Sequence, residues 1–222
     1  MVHKATQSYW MKLLTSFLFA AAMAYIEAVV VVYLRELYYP EGFSFPLRLV
    51  PVKIIIIELF REIATLVMLA TVAVFAGRKF WERFGYFIIL FGIWDIFYYI
   101  WLKITLDWPS SLFEPDILFL IPLPWIGPVI APLLIAALMI TVGISITYLF
   151  HKGNDFRPTY VSWSLAITGI IIILYSFMRD SDAWLYQTMP KPYGYWQLAA
   201  GLILLSSAYL HIWIKVMKET KS

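Results

Sequence analysis

The sequence predicts an all-α, polytopic membrane bundle of about six transmembrane helices. Three observations predict it. Charged residues make up only 14% of the chain against 62% apolar residues, whereas a soluble domain carries about 25% charge. Six apolar stretches approach or exceed the roughly 20 helical residues that cross a bilayer core about 30 Å thick. The breaks between those stretches alternate in Lys and Arg content, ten on one side against six on the other, the asymmetry that fixes orientation in a membrane. The chain therefore reads as a single transmembrane domain, 1–222, with no internal repeat and no low-complexity segment.

The first span is expected at about 13–34, behind Lys4 and Lys12. Ala20-Ala21-Ala22 offers a small-residue cleavage pattern, but the apolar run continues through Val29–Val32. The segment thus reads as an uncleaved helix. Pro40-Glu41-Gly42 interrupts the chain before the second span, about 51–76, and Gly77-Arg78-Lys79 separates that from the third, about 85–106. The fourth span, about 128–150, ends before Gly153-Asn154-Asp155, and the fifth covers about 160–178. Pro190-Lys191-Pro192 precedes the sixth, about 195–214.

Basic residues gather in alternate breaks: Lys4 and Lys12, then Arg78, Lys79 and Arg83, then Lys152 and Arg157, then Lys215, Lys218 and Lys221. The others hold six basic residues, Arg35, Arg48, Lys53, Lys103, Arg179 and Lys191, against seven acids, Glu36, Glu41, Asp107, Glu114, Asp116, Asp180 and Asp182. Lys and Arg favour the cytoplasmic side, so both termini are expected there. Trp10, Trp81, Trp163 and Trp213 fall near the predicted inner surface, and Trp108, Trp125, Trp184 and Trp196 near the outer one. Indole prefers the headgroup level.

Residues 107–127 form an unusual outer segment. Its apolar piece, 117–125, is too short to span and contains Pro122 and Pro124. It reads as interfacial or re-entrant at the outer mouth of the bundle; an apolar loop lying on lipid is the alternative.

Five ionisable residues fall inside predicted spans: Glu27, Glu58, Arg61, Glu62 and Asp95. A charge at the membrane centre costs about 2.5–3.5 kcal/mol on insertion scales, so such residues face the bundle interior and find partners. Helix rise places Glu27 and Glu58 roughly 10 Å below the outer surface, and Arg61, Glu62 and Asp95 roughly 15–16 Å below it. Three helices therefore put charge in one slab. Glu58, Arg61, Glu62 and Thr65 share one face of the second helix by their spacing of three and four. Ala20 and Ala24 share the face of Glu27, and small residues let a neighbouring helix approach. Tyr99, one turn outward of Asp95, is expected to donate a hydrogen bond to it. Arg61 stays charged and is expected to pair with one or two of Glu27, Glu58 and Asp95. Four carboxyls against one guanidinium cannot all be ionised in a dry interior without compensation. A held proton, a bound cation or water must make up the difference.

The site residues expected to carry function are thus Glu27, Glu58, Arg61, Glu62, Asp95 and Tyr99. The alternative is a polar network that only fixes helix packing. Carrier action coupled to protons or cations is the first functional expectation, at a site open to the outer face. The rivals are an intramembrane enzyme acting on a lipid, isoprenoid or quinone, and a non-catalytic subunit or assembly factor of a larger membrane complex. Expected partners are the lipid bilayer, a lipid or small polar ligand, and another membrane protein. A net charge of +3 gives no ground for nucleic acid.

Other features carry weaker readings. With no cysteine and three histidines, thiolate and polyhistidine metal centres are not expected, and no cofactor is predicted. His151 and His211, near the inner ends of their helices, are read as surface residues in preference to haem ligands. The rings of Trp94, Phe97, Tyr98, Tyr99 and Trp101 are read as bundle packing before a quinone platform. Asp107, Glu114 and Asp116 are read as a solvated acidic loop before a divalent-cation site. No GxSxG, HExxH, P-loop or dinucleotide fingerprint occurs.

Four strings, YLRELYYPEGFSFPL (33–47), IELFREIATLVML (57–69), FGIWDIFYYIWLK (91–103) and DILFLIPLPWIGPVIAP (116–132), together resemble a group of small bacterial polytopic inner-membrane proteins. The resemblance covers roughly 20–135. It implies a bacterial cytoplasmic membrane and transfers no catalytic role.

Overall fold

The structure, a computed structural model, describes residues 2–219, with side chains described for 8–218. Lys221 lies outside the described residues. The elements run α1 (Val2–Tyr38), α2 (Val52–Ala76), α3 (Phe80–Leu106), β1 (Pro115–Phe119), β2 (Trp125–Pro128), α4 (Ile130–His151), α5 (Tyr160–Met178), α6 (Asp182–Leu185) and α7 (Tyr195–Glu219). Six of the helices are long and apolar enough to cross a membrane, and the protein is a multi-pass helical bundle.

Helix ends follow local chemistry. α1 runs four residues beyond the expected 34, through Arg35, and stops just short of the residue before Pro40, a position disfavoured for helix. Pro51 opens α2, where a missing N–H is harmless. α3 starts earlier than expected, at Phe80, with Glu82 accepting from the Arg78 N–H at 2.7 Å. It ends on Asp107 in the left-handed conformation (φ 52°) before Pro109. Gly153 takes φ 83° after α4, and its neighbour Asn154 donates to the Leu149 carbonyl at 2.9 Å, which closes the helix in a glycine-permitted turn. Thr159 caps α5 by accepting from the Ser162 N–H at 3.1 Å.

α3 is the central helix. Its inner half meets α4 closely: a Cβ on Gly92 would sit 2.7 Å from the Ala136 carbonyl oxygen, so glycine sets that spacing. On its other side α3 packs on α1 through Ala20 and Ala24, both fully buried, and Trp101 donates to the Ala21 carbonyl at 2.9 Å. α1 and α2 are joined by polar clasps. Lys12 donates to the Ala76 carbonyl at 2.6 Å near one end, and Arg61 meets Glu27 at mid-height.

The 107–127 segment contains a β-hairpin, preceded by an irregular stretch at 107–114. β1 and β2 pair antiparallel, with Asp116 opposite Gly127 and Ile117 opposite Ile126. β2 packs on α5, where Gly127 faces the Phe177 ring. The end of the bundle carrying this hairpin is the outer end on the charge reading.

Candidate functional site

A cavity of about 410 Å³ lies between α1, α2, α3 and the hairpin. Every one of Glu27, Glu58, Arg61, Glu62, Asp95 and Tyr99 lines it. On α1–α3 its walls run outward from Glu27, Glu62 and Trp94. Inward of that level the helices close on apolar side chains: Leu69, Ala73, Leu90 and Ile93 are buried in one core with Ala20 and Ala24. The cavity therefore reaches from the middle of the bundle toward the outer loops and is sealed below.

At its floor Arg61 bridges two helices. Its Nε donates to Glu58 at 2.7 Å and its Nη1 contacts Glu27 of α1. The second Glu27 oxygen accepts from Thr65 at 3.2 Å. The spacing of three and four along α2 makes this possible, since it puts Glu58, Arg61, Glu62 and Thr65 on one face. Of the carboxyls expected to pair with Arg61, Glu27 and Glu58 do and Asp95 does not.

Glu62 points to the hairpin. Both its oxygens lie 3.1 Å from the Leu120 N–H, which donates to them. Glu62 stands ten residues inside α2, about 15 Å of helix rise from its start, and its side chain leans back toward that start to meet the hairpin. The segment therefore packs on the bundle through Leu120 and Asp116, as an interfacial or re-entrant segment does.

Asp95 is half-buried on the cavity wall. Its carboxyl makes no hydrogen bond or ion pair among the described residues. Tyr99 departs from expectation: its hydroxyl donates to Asp116 at 3.3 Å, not to Asp95. The physical reason is the hairpin, which folds back over α3 and brings Asp116 to the outer end of the cavity.

Asp116 and Arg35 belong to the site, and the sequence reading missed both. Arg35 Nη2 donates to Asp116 Oδ1 at 3.2 Å, and the two residues are 7% and 2% exposed. The Arg35 guanidinium also lies 3.8 Å from the Trp108 ring centroid and 4.3 Å from that of Phe43, an arrangement that desolvation strengthens. Its Nη1 has no hydrogen-bond partner among the described residues. Burial pushes the Asp116 carboxyl up, while Arg35, the Ile117 N–H and the Tyr99 hydroxyl pull it down. Asp116 is thus no part of a solvated acidic loop. Asp107 and Glu114 do face solvent: Lys103 pairs with Asp107 at 2.7 Å and holds its carboxyl below the usual range, and Ser110 bonds Glu114. One signal was available for Asp116: it is the lone charge leading an apolar run bound for the bundle.

Loop 39–51 lines the outer end of the cavity through Tyr39, Phe43, Leu47, Arg48 and Val50. Phe43 meets Trp108 edge to face at 5.8 Å. The Leu47 carbonyl accepts from Gln187 at 3.4 Å. The Arg48 N–H donates to Tyr39 at 2.7 Å.

The histidines are elsewhere. His151 stacks on Tyr9 at 4.7 Å, and His211 Nδ1 bonds Ser162 at 3.1 Å. Among the described residues no group of three His, Asp or Glu could hold a metal ion. A second, polar cavity of about 350 Å³ opens at the inner end, lined by Lys12, Arg78, Lys79, Glu82 and Asp155 among others.

No protein-family model matches the chain, and comparison with curated proteins and with solved structures finds no match.

Proposed function

We propose that the chain is a proton- or cation-coupled carrier of a bacterial cytoplasmic membrane, with the outer cavity as its exchange site. One observation carries this reading. The cavity lining holds five carboxyls, Glu27, Glu58, Glu62, Asp95 and Asp116, against three guanidiniums, of which Arg61 and Arg35 are engaged by Glu27, Glu58 and Asp116 and Arg48 belongs to the loop at the mouth. Glu62 and Asp95 form no ion pair among the described residues, and Arg61, the neighbour of Glu62, is paired with Glu27 and Glu58. A protein interior does not hold such charge uncompensated, so these two groups take up protons or a cation and release them. The apolar core below the cavity supports the same reading, because an exchange site must be closed on one side while it is open on the other.

The test is a pH jump applied to proteoliposomes on a solid-supported membrane. Wild type is expected to give a transient current from proton uptake. Asp95→Asn and Glu62→Gln each reduce it, and the double variant abolishes it. Glu62→Gln keeps an acceptor for the Leu120 N–H, so the fold is retained, and circular dichroism checks this. A flat response in wild type, or an unchanged one in the double variant, overturns the proposal.

A further inference from the structure

We infer that the substrate class of this cavity is a lipophilic organic cation: one permanent or protonated positive centre carried by apolar groups. The inference rests on the carrier reading and goes beyond it, since proton or inorganic-ion exchange alone would need neither the size nor the walls of this cavity.

Size comes first. About 410 Å³ lies within the range of roughly 300–1,000 Å³ typical of small-molecule sites, and a single water occupies about 30 Å³ of liquid. The walls come second. Val31 and Leu34 of α1 and Ile54, Ile55 and Leu59 of α2 all line the cavity. A hydrated inorganic ion gains nothing from that surface, whereas apolar substituents gain about 25 cal/mol for each Å² removed from water.

Charge decides the sign. Of the three arginines in the lining, Arg61 is held by Glu27 and Glu58 and Arg35 by Asp116; Arg48, in the mouth loop, stands against five carboxyls in the lining, so the balance of charge favours a cation. A cation meets Asp95, whose carboxyl has no hydrogen-bond partner among the described residues. Trp94, Tyr98 and Tyr99 bring three rings to the same stretch of α3, and all of them line the cavity. Ring faces attract a diffuse cation most strongly when it is desolvated. A metal ion is served worse, because the carboxyls are not grouped as metal ligands among the described residues.

The occupant is thus a cation with its charged centre near Asp95 and its apolar groups between the outer halves of α1 and α2. Its arrival displaces a proton from Asp95 or Glu62, which couples the two fluxes.

The test is binding of radiolabelled tetraphenylphosphonium to the protein in nanodiscs, with tetraphenylborate, of similar shape and opposite charge, as competitor. Saturable binding is expected at neutral pH. It weakens as pH falls, because protons compete, and it releases protons into a weakly buffered medium. Asp95→Asn weakens it by about tenfold or more, equivalent to roughly 1.4 kcal/mol. Tetraphenylborate does not compete. Wild-type binding that is absent, independent of pH, or equally displaced by tetraphenylborate overturns the inference, as does undiminished binding to Asp95→Asn. If those results come with a normal pH-jump current, the organic-cation class falls and the carrier reading stands. If the current is also absent, both fall.

Discussion

At the scale of single residues, Arg61 decides how the floor of the cavity is held. It reaches Glu58 on its own helix and Glu27 on α1, so one side chain compensates two buried carboxyls. Removing one member of such a network costs more than the network contributes, because the partners stay behind uncompensated. Arg61→Met is therefore expected to destabilise the protein by about 3–5 kcal/mol. Adding Glu27→Gln to Arg61→Met should restore part of that loss, because one stranded carboxyl is then neutral. Thermal unfolding in nanodiscs, followed by tryptophan fluorescence, measures both; equal stability of the single and double variants would contradict the reading. The sequence made the candidate residues visible, since charge inside an apolar span is conspicuous. It did not reveal the partner of Tyr99, because helix spacing pointed to Asp95 while Asp116 reaches the same hydroxyl from another element.

At the scale of elements, the hairpin formed by β1 and β2 is what turns three helices with buried charge into an enclosed site. It supplies Asp116 to Arg35 and the Leu120 N–H to Glu62. Its strand character was not legible: 116–127 is apolar on both faces and broken by prolines, so no alternation of period two shows. Its length did reveal that it could not span. Its depth is open to chemical test because the chain has no cysteine, and an introduced thiol is unique. A single thiol at Leu120→Cys is expected to react with a membrane-impermeant maleimide several-fold more slowly than one at the exposed Ser110→Cys. Equal rates would place the tip at the surface and remove the contact with Glu62.

At the scale of the whole molecule, the bundle is unequal at its two ends. The outer end holds a deep cavity with two apolar walls, and the inner end a polar one of about 350 Å³. Between them the buried side chains of Tyr86, Leu90, Ile93 and Trp94 on α3 belong to one core. From Tyr86 to Trp94 this septum is about 12 Å thick. The direction in which the deep cavity faces rests on the distribution of Lys and Arg. In intact cells the impermeant maleimide should label Ser110→Cys and leave Lys152→Cys unlabelled until the membrane is permeabilised. The opposite pattern would invert the molecule and turn the cavity toward the cytoplasm.

The sequence by itself determined the number of spans, their approximate limits and the level at which buried charge collects. These are one-dimensional properties: hydropathy, helix rise and the cost of charge in lipid act on each segment independently of its neighbours. Only the tertiary structure decided which charges meet. Arg35 and Asp116 stand 81 residues apart in the chain, and Glu62 and Leu120 stand 58 apart. Each pair exists because the hairpin folds back between the helices, where its own polar groups must find partners out of reach of water. No local spacing encodes that return.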